Sequence, residues 1–208
     1  MQQIYLDNAA TTPVRPEVEE VMQPYFCEKY GNPSGIYKMA SECRQALETV
    51  RKQIGKTLKV SAEEIYFTSG GTESDNWAIK STAQRLKEKG KHIITSKIEH
   101  HAVLNSCAYL ETQGFEVTYL DVDEWGCVRF DALQRAIRKD TILISIMYAN
   151  NEVGTIQPIG QIGKIAKEND IFFHTDAVQA YGQIPIDVKR ENIHLLSASA
   201  HKFNGPKG

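Results

Sequence analysis

A lysine, an aspartate and a glycine-rich turn carry most of the chemistry this sequence could perform. Lys202 follows the apolar pair Leu195-Leu196 and the triplet Ser199-Ala200-His201. An amine held away from water loses part of its proton affinity and can then attack a carbonyl to form a Schiff base. A lysine that simply faces solvent is the commoner case, so position has to decide. Asp176 closes Ile171-Phe172-Phe173, the most apolar run of the chain. A carboxylate there is poorly solvated and needs a cation or N–H groups beside it. A protonated ring nitrogen of a cofactor would satisfy it, and so would a helix N-terminus that it caps. Gln179, three residues on, could reach the same ligand or serve as a capping-box partner for Asp176. Ser69-Gly70-Gly71-Thr72 opens a helical pattern. Glycines let the backbone approach closely, and free N–H groups with the helix dipole favour an anion such as phosphate. A glycine turn with Thr72 as N-cap accounts for the same residues without a ligand. The turn matches neither G-x-G-x-x-G nor a Walker loop, because no Lys-Ser/Thr follows, which counts against dinucleotides and nucleoside triphosphates.

Two further groups belong to the same list. Glu99-His100-His101 and Asn150-Asn151-Glu152 both follow apolar runs. A metal could draw on His100, His174, Asp176 and His201, but their spacing matches no motif such as H-E-x-x-H, so no metal is expected. An imidazole lying over a flat cofactor ring suits His100 better, while His101 reads as a first-turn helix residue. The asparagines could bond a ring hydroxyl or a substrate carboxylate, or form a turn closed by Gly154. A phosphate cradle, a carboxylate and an amine are together the three handles of pyridoxal 5′-phosphate.

These groups need a scaffold that brings them to one place. Apolar residues at helical spacing predict helices over Pro16–Tyr30, Tyr37–Leu58, Thr72–Lys89, Ala102–Gln113, Phe130–Arg138 and Ile159–Asn169. Between them lie short β-type runs at Glu64–Thr68, His92–Ser96, Glu116–Leu120, Thr141–Met147, Ile171–Thr175 and His194–Ala198. Several are largely apolar rather than alternating, as strands buried on both faces of a parallel sheet are. The alternation predicts an α/β fold with a mostly parallel sheet flanked by helices. Residues 1–60 lack strands and are expected to pack outside a sheet domain of residues 61–208. In such sheets sites lie beyond the carboxyl ends of the strands, and five of the six predicted strand ends carry polar, reactive residues.

Composition narrows the function classes. The chain has 208 residues, 41% hydrophobic and 24% charged, with a net charge of −2. That is enough chain for a substantial core and too little basic excess for a nucleic-acid or anionic-membrane binder. No apolar stretch approaches the ~18 residues of a spanning helix, and the first residues lack a signal-peptide pattern. Cys27, Cys43, Cys107 and Cys127 form no C-x-x-C pair. A reduced, cytoplasmic protein is expected.

The motifs in combination resemble those of the NifS/IscS-type cysteine desulfurases, within the class V aminotransferase group of fold-type-I pyridoxal-phosphate enzymes. The resemblance rests on Tyr5-Leu-Asp-Asn-Ala-Ala-Thr-Thr-Pro13, Gly31-Asn-Pro-Ser34, Phe67-Thr-Ser-Gly-Gly-Thr-Glu-Ser-Asp-Asn76, Glu99-His100, Asn150-Asn-Glu-Val-Gly154, Asp176-Ala-Val-Gln179 and Ser199-Ala-His-Lys202, and it runs on through Gly205-Pro-Lys-Gly208. It implies that Lys202 is the Schiff-base lysine, that Asp176 pairs with the ring nitrogen and that Gln179 bonds the ring hydroxyl. It implies that Gly71, Thr72, Ser199 and His201 hold the phosphate. His100 would stack on the ring and assist proton transfer, and Asn151 would sit near the ring and the substrate carboxylate. The implied reaction converts L-cysteine to L-alanine and leaves sulfur as a persulfide on an enzyme cysteine. From there sulfur goes to an acceptor scaffold for iron–sulfur cluster assembly or to tRNA thiolation. A homodimer is implied as well.

The pattern also departs from the family. Gly35, Tyr37 and Ala40 stand where members often have Ser-x-His-x-x-Gly after Asn-Pro-Ser. The persulfide cysteine and the arginine that holds the substrate carboxylate lie, in the family, beyond the positions matched here, in a region that includes a C-terminal small domain. Residues 61–208 are therefore expected to be an incomplete cofactor-binding large domain, with residues 1–60 a helical segment that packs on it and on the small domain, and residues 1–208 are expected to be inactive alone. The resemblance also leaves room for a selenocysteine lyase, a class V aminotransferase or a catalytically silent scaffold.

Overall fold

The computed structural model describes residues 4–207. Five strands, β1 (His92–Ser96), β2 (Glu116–Leu120), β3 (Thr141–Ser145), β4 (Phe172–Asp176) and β5 (Leu195–Ser197), form one sheet in the order β2-β1-β3-β4-β5. Every pairing is parallel. Parallel neighbours require crossovers, and helices supply them: α4 (His101–Thr112) links β1 to β2, α5 (Phe130–Ala136) leads into β3, and α6 (Ile159–Glu168) leads into β4. α1 (Pro16–Cys27), α2 (Lys38–Leu58) and α3 (Gly71–Leu86) precede the sheet.

β1 and β3 are buried at all five positions, the polar His92, Thr95, Ser96, Thr141 and Ser145 included, so neither shows the alternation of a half-exposed strand. Successive side chains still point to opposite faces. Ile93 and Leu143 pack with Ile79 and Ala83 of α3 and Val103, Cys107 and Leu110 of α4. Ile94 and Ile144 face the other way, into a larger core with Leu133, Ile162, Ala166 and Phe173. Leu58 at the end of α2 joins that second core, and Thr12 ahead of α1 bonds the His201 carbonyl beyond β5. α1 buries no residue, and Val21 and Phe26 remain exposed.

The predicted helices stand, with ends moved by up to three residues. The run Glu64–Thr68 is not a strand. Glu64 ends a 3-10 turn, Ala62–Glu64, held by a capping box with Ser61, and the residues after it join no ladder among the described residues. Tyr66 and Phe67 are exposed there. β-type composition describes a residue fit for a pleated surface, whereas a strand also needs a neighbour to take its N–H and C=O groups. The first three residues and Gly208, the last of the Gly205-Pro-Lys-Gly208 motif, lie outside the described residues.

Candidate active site

The residues after β5, the N-terminus of α3 and Thr11 enclose an open cleft of about 430 Å³, with Asp176 and Lys202 outside its lining. It is lined by Thr11, Ser69 to Glu73, Ser199, His201 and Lys207. At its floor Gly70 takes φ 155° and ψ −179°, a conformation that side-chain-bearing residues rarely adopt. Gly71 must be small for a different reason: a Cβ there would meet Cγ2 of Val178 at 2.8 Å. The helix that begins at Gly71 leaves the amides of Gly71, Thr72 and Glu73 without a carbonyl one turn back. Glu73 closes one side by accepting the Ser69 amide at 2.6 Å. The remaining amides, the Ser199 hydroxyl and the His201 ring converge as donors for an anion.

Asp176 ends β4 and is 5% exposed. One oxygen accepts the Val178 amide at 2.9 Å. Burial raises its pKa, while the Val178 bond, His100 and Lys202 pull it back toward the charged form. A further cation at this carboxylate would act in the same direction. Lys202 closes the 3-10 turn Ala200–Lys202. Its ammonium donates to the carbonyl of Ala9 and, at 3.0 Å, to that of Ala10. Burial lowers its pKa against the opposing pull of Asp176 and Asp7. Gln179 also donates to Ala9, at 2.9 Å, so it does not close a capping box on Asp176.

His100 is the N-cap of α4: its Nδ1 accepts the Ala102 amide at 3.1 Å, which leaves Nε2 as the protonated nitrogen of the neutral ring. His101 is the first residue of the helix proper. Asn150 and Asn151 form the turn after β3 that Gly154 closes, with Asn150 Oδ1 accepting the amides of Glu152 and Val153 at 2.9 Å each. Asn151 is half-buried, and its amide donates to Glu152.

His174 does not join a metal set. It is fully buried, its ring nitrogens meet Ser145 Oγ at 2.9 Å and Ser197 Oγ at 3.0 Å, and burial pushes it down to about 3. Among the described residues no three His, Cys, Asp or Glu side chains are grouped to hold a metal. Beside His174 lies Asp75 of α3, 1% exposed, with Oδ1 at 3.6 Å from the imidazole and without a hydrogen-bond partner among the described residues, while Ser197 bonds the carboxyl. Burial first, then the Asp176 charge, pushes Asp75 up to about 8. His174 and Asp176 sit two apart on β4 and share a face, so the polar row Ser145, His174, Ser197 and Asp75 underlies Asp176.

Sequence reading did not find Thr11, Lys207, the Ala9 and Ala10 carbonyls or Asp75. For Asp75 a signal existed: it shares the buried stripe of α3 with Ile79, Thr82 and Ala83, where a carboxylate is out of place.

The residues fit pyridoxal 5′-phosphate. A cradle that a Cβ at Gly71 would crowd, a buried carboxylate with a single N–H donor among the described residues, and an amine of lowered pKa share one sheet edge. The chain belongs to the class-V aminotransferase family, whose model matches residues 4–208. It is 64% identical over 205 residues to the cysteine desulfurase IscS of Methanosarcina thermophila, a match covering 99% of this chain and 51% of that protein. Among solved structures, a NifS-like protein superposes with a TM-score of 0.97 at 44% identity, covering 100% of this chain and 57% of its own. SspA in complex with cysteine gives 0.96 at 46% identity, covering 99% and 59%. The chain thus spans about half the length of the curated relatives it matches.

Proposed function

We propose that this member of the class-V aminotransferase family serves a pyridoxal-phosphate cysteine desulfurase, which takes sulfur from L-cysteine, releases L-alanine and hands the sulfur to a thiol. The reading rests on Lys202, Asp176 and the Ser69–Thr72 turn meeting at one sheet edge, and a relative 64% identical over 205 residues carries the name of that activity. Bound pyridoxal phosphate supplies an electron sink for the substrate's α-carbon.

The chain's own groups do the rest. Gly71 and Thr72 amides, Ser199 and His201 would hold the phosphate. Asp176 would face the ring nitrogen. Gln179, whose amide donates to the Ala9 carbonyl here, would serve the ring hydroxyl. His100 would offer its Nε2–H to the ring, and Asn151 would meet the substrate carboxylate. Lys202, its proton affinity lowered by burial, would be the amine that holds the cofactor's carbonyl and would carry the proton at the α-carbon. The overall exchange balances as cysteine plus thiol giving alanine plus persulfide. Three of the four cysteines here are poor receivers. Cys107 is pushed up to about 12 by burial, burial also raises Cys127, and Cys43 is buried and donates to the Lys29 carbonyl. Cys27 ends α1.

A homodimer, a cytoplasmic setting and a sulfur-acceptor scaffold as partner complete the proposal. No helix among the described residues is long and apolar enough to cross a membrane. Residues 1–60 are read as a segment that packs on both the sheet domain and further protein surface, which accords with the exposed Val21, Phe26, Ile36 and Tyr37. The test is borohydride reduction of the intact protein after incubation with pyridoxal phosphate, alongside alanine release from cysteine. The peptide carrying Lys202 should gain the pyridoxyl mass, and Lys202→Ala should abolish the gain. An unmodified peptide in the wild-type protein would overturn the reading.

A further inference from the structure

Glu99 lies in the turn between β1 and α4, one residue before His100, and is 5% exposed. Its Oε1 accepts two hydrogen bonds, from Ser96 Oγ at 2.5 Å and from the backbone amide of Met147 at 3.0 Å. Its Oε2 is buried with no partner among the described residues. A second bond runs the same way across the gap, from Asn150 Nδ2 to the Ile98 carbonyl at 3.0 Å. The turn that carries His100 is therefore joined to the turn that carries Asn151 at two points, and nothing in either turn's own backbone would set their spacing.

The choice of residue is informative. A carboxyl in this position is unfavourable in its charged form, because burial dominates and the Asp176 charge adds to it. The other titratable groups around it are Asp75 of α3 and Cys107 of α4, with His100 next in sequence. A leucine would fill the space more readily but would leave the Met147 amide and the Ser96 hydroxyl buried and unpaired. What the position requires is one acceptor oxygen serving two donors on two elements.

We propose that Glu99 is a positioning residue, locking the His100 turn to the Met147–Asn151 turn so that the imidazole and the Asn151 amide approach the cofactor at a fixed separation. The proposal rests on the pyridoxal-phosphate reading and goes beyond it, since Glu99 touches neither cofactor nor substrate. Its role requires acceptor geometry rather than charge, so glutamine should replace it and leucine should not.

The experiment uses the intact protein as wild type, Glu99→Leu, Glu99→Gln and Ser96→Ala. Pyridoxal phosphate is titrated in while the visible circular dichroism of the bound cofactor is followed, and amide exchange at Met147 is measured without cofactor. Losing one buried acceptor should weaken cofactor affinity and speed Met147 exchange by about tenfold each in Glu99→Leu. The dichroic band should fall by about half or more as His100 loses its fixed orientation. Glu99→Gln should restore all three to within about twofold, because its carboxamide oxygen accepts the same two donors. Ser96→Ala, which withdraws one donor only, should show the same changes in smaller measure, and it decides the matter if Glu99→Leu does not fold. Wild-type dichroism in both Glu99→Leu and Ser96→Ala would overturn the positioning role. So would a Glu99→Gln variant as impaired as Glu99→Leu, which would assign the effect to the carboxyl proton. A wild-type protein with no visible dichroism would instead defeat the cofactor reading itself.

Discussion

Replacing Asp75 by asparagine tests how the buried carboxylates are held. Asp75 is 1% exposed on the sheet-facing side of α3, and its carboxyl is pushed from an ordinary 3.8 to about 8 by burial first and the Asp176 charge second. At neutral pH the folded protein must keep a proton that the unfolded chain has released. With 1.36 kcal/mol per unit, folding at pH 7 forgoes about 4 kcal/mol on this account. The sign follows from the raised folded value. Stability is full below the unfolded pKa, declines as pH rises toward about 8, and is level above it. Asparagine has the same shape and no proton to lose. The stability difference, variant minus wild type, should therefore grow by about 1.4 kcal/mol per pH unit between about pH 5 and about pH 8. Groups that do not act on Asp75 titrate in both proteins and cancel in the difference, and Asp176 and Glu99, whose charges do act on it, cancel while Asp75 keeps its proton. Glu99 and Asp176 shift in the same direction as Asp75, while the depressed His174 acts oppositely, lending stability as pH rises toward its unfolded value. The measurement is urea unfolding of the cofactor-free protein, wild type and Asp75→Asn, across that range. A difference that stays constant with pH would show that Asp75 is ionised in the folded protein, and the account of the polar row beneath Asp176 would be wrong.

Three other outcomes follow from the same geometry. Gly71→Val should weaken pyridoxal-phosphate binding by at least about tenfold in an equilibrium titration, because its Cβ already meets Val178 Cγ2 at 2.8 Å and its methyls would crowd the cradle. Asp176→Asn can keep the Val178 amide bond through its carboxamide oxygen but loses the charge opposite the ring nitrogen. In a protein that also carries the persulfide cysteine and the substrate-carboxylate arginine, alanine release from cysteine should fall on the order of a hundredfold at saturating cofactor, measured by product assay. Ile144→Ala empties a fully buried position between β1 and β4 and should lower stability by about 3 kcal/mol in urea unfolding, with cofactor stoichiometry retained.

Much of the site was legible in the sequence, and the reason is local. Asp176 and Lys202 each follow an apolar run, and polar groups at the carboxyl ends of parallel strands gather at one edge whatever the loops do. Gly70-Gly71 could be read because a helix N-terminus needs no distant partner to attract an anion. The partners that reach these groups could not be read so. Lys202 and Gln179 find the Ala9 carbonyl 193 and 170 residues away. Glu99 finds Met147 across 48 residues. The run at Glu64–Thr68 failed for the same reason, since its strand character depended on a neighbour that residue types cannot name.

The sequence alone determined the alternation of helix and strand, the burial of β1 and β3 on both faces, and the kinds of reactive group at the strand ends. These follow from side-chain size, periodicity and backbone freedom, which act over a few residues. Tertiary structure alone decided that Asp75 lies beside His174, that a backbone segment near residue 10 covers Lys202, and that one buried glutamate ties two turns together. Those contacts depend on chain closure over long separations, and burial there changes the proton affinity of each group by amounts that its own sequence neighbours do not set.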